Sequence, residues 1–114
     1  MNTEQCLAHY FLYSNMAVYA CKRQKTNEDK KFWSEFISIS RDVLFSNKSQ
    51  VLTFEERESI CAIKQNAICE KYNKDKKQVA LEFADIFENC VSKKDREKNK
   101  EVFEEIRNHA NGNL

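Results

Sequence analysis

An all-α fold, a compact bundle of four to five antiparallel helices, follows from the punctuation and the periodicity of the chain. There is no proline and one glycine, Gly112. β-Hairpins usually turn on Asn-Gly or Asp-Gly, and the one such pair, Asn111-Gly112, stands after the last apolar stretch. Apolar residues recur at intervals of three and four over five stretches, the spacing of a helix face. Composition agrees: 41% hydrophobic and 32% charged residues are those of a globular protein. At 114 residues, residues 1–114 read as a single helical domain. A chain of this size buries about two-thirds of its unfolded surface without metal or disulfide staples.

The first helix is expected over about residues 4–24, with Thr3 as its N-cap, since a hydroxyl satisfies a free backbone N–H. Its apolar groups fall almost all round. Cys6, Tyr10, Tyr13 and Ala17 take one side, Leu7, Phe11 and Val18 the next, and Leu12, Met16 and Tyr19 the rest. A helix apolar on every side must be surrounded, by its own domain or by another copy. The second helix is expected over about 28–45, capped by Thr26 or Asn27. Glu28 and Asp29 suit the positive end of its dipole, and Phe32, Trp33, Phe36, Ile37, Val43 and Leu44 form its stripe. Ser46 to Leu52 reads as a polar loop.

Thr53-Phe54-Glu55-Glu56 is a capping box, the sharpest boundary in the chain. The third helix then runs to about residue 72. One face carries Phe54, Cys61, Ile68 and Tyr72, the other Ile60, Ile63 and Ala67. Arg57, Lys64 and Lys71, spaced by seven, read as a basic ridge between them: cations snorkelling out, or else a partner-binding ridge. The fourth helix, about 76–91, has the cleanest face, with Val79, Ala80, Phe83, Ala84, Ile86, Phe87, Cys90 and Val91. Ser92 offers a cap for a last helix over about 93–110, with Val102, Phe103 and Ile106 as a thin stripe. Without proline or glycine at that junction, one long bent rod is the alternative. Gly112 stands where a C-terminal glycine cap belongs.

No motif for catalysis, metal or nucleotide is readable, so an enzyme, a cofactor or a metal is not expected. Cys6 and His9 share a face, three residues apart, but no third orienting group accompanies them, and both read as core residues. His109 reads as solvated, and so do Glu55-Glu56 and Glu104-Glu105. Cys/His spacing for zinc is absent. The five cysteines, Cys6, Cys21, Cys61, Cys69 and Cys90, lack a Cys-x-x-Cys pair. They read as small apolar residues of a reducing, cytoplasmic compartment. Residues 5–21 carry no charge. They lack a preceding basic region and fall short of the ~20 apolar residues of a membrane span, so a core helix, not a membrane segment, is expected.

Charge patterning is more informative than the net charge of +1. In an up-and-down bundle the turns after the first and third helices lie at one end. Lys22, Arg23, Lys25, Lys30 and Lys31 against Glu28 and Asp29 give +3; Lys71, Lys74, Lys76 and Lys77 against Glu70 and Asp75 give +2. A basic pole of +5 is therefore expected. Lys and Arg ending the first and third helices suit the dipole. Lys76 and Lys77 at the start of the fourth helix, Lys93 and Lys94 at the start of the fifth, and Asp85 and Glu88 near the end of the fourth oppose it. Such misfits raise a docking surface beside the plainer reading, a solvated one, since exposed charges cost little. The expected function is a non-enzymatic protein-interaction module of inhibitor, immunity or adaptor type. Its partner would be another protein, with homodimerisation through the apolar faces. The alternative is a nucleic-acid-binding subunit that sets the pole on phosphates; few aromatics interleave with the pole for base stacking.

Overall fold

The computed structural model describes residues 2–112. Among them are six α-helices and no strand: α1 Thr3–Lys22, α2 Asn27–Phe45, α3 Phe54–Lys71, α4 Lys76–Cys90, α5 Lys93–Lys98 and α6 Lys100–Ala110. Among the described residues no helix is long and apolar enough to cross a membrane.

The boundaries are set by side-chain caps. Asn2, not Thr3, caps α1: its side chain accepts from the Gln5 backbone, and the Gln5 side chain answers the Asn2 backbone. This reciprocal pair is the amide version of the box that Thr53 and Glu56 make at α3. Thr26 caps α2 by accepting from the Asp29 N–H. The segment after α2 is not a plain loop; Asn47–Val51 winds into a 3-10 helix. α3 ends in a Schellman motif. Asn73 takes φ 54°, while Asn73 N–H reaches Glu70 O at 3.1 Å and Lys74 N–H reaches Cys69 O at 2.8 Å. Asn is the residue after glycine best suited to that left-handed position. Gly112, at φ 74°, does the same after α6.

Ser92 caps α5 through the Asp95 N–H, so the fourth and last helices are separate rather than one rod. The last helix is itself divided. It breaks at Asn99, whose side chain donates to Asp95 O at 2.8 Å and competes with the helical ladder.

The core lies between α1, α2, α3 and α4. Tyr13, Met16 and Ala20 meet Phe32, Trp33, Phe36, Ile37 and Leu44, closed by Cys61, Ile68, Val79 and Ile86. Phe32 and Trp33 sit edge to face at 5.1 Å, and Phe36 meets Phe83 of α4 at 5.9 Å. One buried polar group is satisfied within the α2–α3 seam: the Ser40 hydroxyl donates to Phe36 O at 2.7 Å and accepts from Gln65 Nε2 at 2.9 Å. α6 lies on α4. There the buried Phe103 meets Phe87 edge to face at 5.5 Å, and the Arg107 guanidinium takes Asp85 at 2.7 Å together with Glu88. The two carboxylates that oppose the α4 dipole therefore have a partner inside the fold.

Candidate interaction surfaces

The turns after α1 and α3 do meet at one end of the bundle. The Lys74 ammonium binds the Asp29 carboxylate, and Gln24 Nε2 donates to Glu82 at 3.0 Å. Four of the nine cations at this pole are held by carboxylates: Arg23 by Glu82 at 3.7 Å, Lys71 by Glu35 at 3.1 Å, Lys76 by Glu70 at 3.4 Å, and Lys74 by Asp29. Lys22, Lys25, Lys30, Lys31 and Lys77 are exposed and have no carboxylate partner among the described residues.

Glu35 and Glu82 were not counted from the sequence, because both lie inside helices rather than at the turns. With them the pole falls from +5 to +3. The pairing is visible in protonation. Hydrogen bonds from Lys74 and Thr26 hold the Asp29 carboxyl below its ordinary range. The Tyr72 hydroxyl, at 2.8 Å, and Lys71 lower Glu35 and are themselves raised by it.

The basic ridge on α3 does not exist as a surface. Arg57 is 6% exposed. Its Nη1 donates to Leu44 O at 2.5 Å and its Nε to Thr53 O at 3.4 Å. Lys71 is committed to Glu35, which leaves Lys64 exposed on its own. Nor is α3 covered on both apolar faces, since Ile63 is 69% exposed and Ala67 is exposed beside it.

Cys6 and His9 diverge. Cys6 is buried. His9 is half-buried, not a core residue; its Nδ1 pairs with Gln5 O at 2.7 Å and its ring stacks on Phe45 at 5.0 Å. His109 is exposed. All five thiols are free: Cys6, Cys61 and Cys69 are buried, Cys21 and Cys90 partly so. Burial pushes Cys61, Cys69 and Cys90 above the ordinary thiol value, away from the reactive thiolate form. Among the described residues no His, Cys, Asp and Glu group of three or more could hold a metal ion.

The most distinctive surface is on α1. The neighbouring helices of its own domain do not surround it. Leu7, Phe11 and Val18 remain 53%, 58% and 55% exposed. They lie four and seven residues apart, along one face. At the N-terminal end of this stripe is an open groove of about 320 Å³, lined by Leu7, Tyr10, Phe45, Ser46, Asn47 and Lys48. Arg41 borders the same side of α1, stacked over Tyr10 at 4.5 Å and donating to Ser14 Oγ at 3.1 Å. The sequence contained the stripe as one of several apolar sides; which side the fold leaves open depends on how α2 and α4 pack. The chain matches no known family model, no curated protein and no solved structure.

Proposed function

We propose that this chain is a non-enzymatic protein-interaction module, of inhibitor, immunity or adaptor type, that docks through the outer face of α1. The observation that carries this reading is the Leu7–Phe11–Val18 stripe, three large apolar side chains each more than half exposed. Isolated exposed apolar residues are ordinary, but three large ones on a single helix face favour a contact surface.

A second reading sets the pole on nucleic acid. It is favoured by the five lysines that no carboxylate holds, and weakened by the four cations that are already paired. Co-purification of the tagged protein from its native host at low salt, with and without nuclease, separates the two. The first reading expects a protein partner that survives nuclease and is lost with Phe11→Glu. A partner that nuclease removes, and that Phe11→Glu leaves in place, overturns it in favour of the pole.

A further inference from the structure

We infer that the protein seated on the α1 face is a second copy of this chain, its α1 antiparallel to the first across a two-fold axis. This rests on the reading of α1 as the docking face and names its occupant. The argument begins with spacing. Glu4, Leu7, Phe11, Ser14 and Val18 follow intervals of three, four, three and four, the seam of a two-helix coiled coil. Every member of that seam but Ser14, which is half-buried, is classed as exposed.

Charge then fixes the orientation. Residues 5–21 are uncharged, Glu4 stands at one end of the seam and Lys22 at the other. Neither has an ion-pair partner among the described residues. A parallel pair would set Glu4 on Glu4 and Lys22 on Lys22. An antiparallel pair sets Glu4 against Lys22 of the second copy at both ends. The helix dipole favours an acid first and a base last in any helix, but it does not require four uncharged turns between them on an exposed seam.

Shape agrees with the same register. Opposed antiparallel, Leu7 packs on Val18 of the second copy, and Phe11 on Ser14 and the Arg41 guanidinium bonded to it, where an aromatic ring meets a cation. In parallel, Phe11 would face Phe11 and Arg41 would face Arg41, which leaves the cation unmatched. From Glu4 to Lys22 the seam runs about 27 Å at a rise of about 1.5 Å per residue. A strip about 10 Å wide on each copy then covers about 270 Å², or about 540 Å² in the pair. That is less than a stable specific interface buries, so the dimer is expected to be weak, dissociating on the order of hundreds of micromolar.

Sedimentation equilibrium of the intact protein over about 1–500 µM tests this. The mass is expected to rise from 13.5 kDa towards twice that value. Phe11→Glu is expected to weaken the dimer about a hundredfold, because it places a charge in the seam centre. Glu4→Lys alone and Lys22→Glu alone are each expected to weaken it about tenfold, and the double swap to restore it. Far-ultraviolet dichroism monitors folding. The double swap opposes the α1 dipole most, so recovery of the dimer in it does not come from a better helix. A monomer throughout the range, or a dimer indifferent to these variants, overturns the inference. If the protein is monomeric but Phe11→Glu still loses the nuclease-resistant partner, self-pairing fails while the interaction-module reading stands; if neither is affected, both fail.

Discussion

Arg57 shows how a single residue ties two elements together. The last turn of α2 contains no basic residue, and the final carbonyls of any helix lack intrahelical donors. The Arg57 guanidinium supplies one to Leu44 O while also reaching the Thr53 carbonyl at the cap of α3. It lies over the Phe54 ring at 5.1 Å. Replacing it with Ala leaves a buried carbonyl without its charged donor, a loss of about 2–3 kcal/mol. For a chain of this size that lowers Tm by roughly 10 °C. Arg57→Lys should recover part of it, since an ammonium reaches one carbonyl but lacks the planar fork. Calorimetry showing Arg57→Ala within a degree of wild type would remove this role. The sequence did not reveal it. Spacing by seven placed Arg57 in line with Lys64 and Lys71, but such a row drifts by about 20° per heptad round the helix, and its first member is the one facing α2.

Among the elements, α6 is the one whose attachment is most clearly polar at the surface. Phe103 is its buried anchor, and Arg107 holds it to α4 through Asp85 and Glu88. At 31% side-chain exposure each of these pairs contributes a few tenths of a kcal/mol up to about one. Arg107→Ala also leaves two carboxylates near the C-terminal end of α4, against its dipole. The expected result is local: amides of α6 exchange about three- to tenfold faster, while those of α2 and α3 are unchanged. Phe103→Ala, which opens a cavity, should lower the stability of α6 by more than Arg107→Ala does. Hydrogen exchange resolved by helix reads both; uniform acceleration throughout the chain would mean that α6 is no separate unit. The starts of α2, α3 and α5 were legible because Thr26, Thr53 and Ser92 are ordinary caps. The break at Asn99 and the left-handed turn at Asn73 were not, since Asn bonds locally in several ways and its neighbours decide which. Asp85 and Glu88 were correctly read as misfits of α4, but their resolution lay on a helix about twenty residues away.

At the scale of the whole molecule the basic pole is where long-range pairing matters most. That the two turns share an end followed from alternating helices; that Glu35 and Glu82 reach into them depended on which face of α2 and α4 turns outward. The resulting contacts give stability a two-sided dependence on pH. Asp29 and Glu35 have folded pKa values below their ordinary ones. Their contribution is complete above about pH 5 and is lost as pH falls through the folded values. Tyr72 and Lys71 are shifted upward, chiefly by the hydrogen bonds to Glu35. Their contribution is complete below about pH 9 and is lost as pH rises through the raised values. On the acid side a second effect adds: once Asp29 and Glu35 are protonated, Lys74 and Lys71 lose their partners and join the unpaired lysines at one end, which repel one another. Tm should therefore be level between about pH 5 and 9 and fall on both sides, more steeply on the acid side. Asp29→Asn with Glu35→Gln should flatten both limbs, since Glu35 is also the partner of Tyr72 and Lys71, and Tyr72→Phe should flatten the alkaline limb and part of the acid one. These groups are partly solvated, so the differences are expected to be a few degrees. Thermal unfolding of the three proteins across that range measures them, and parallel limbs in all three would show that the pole contributes nothing to the stability of the fold.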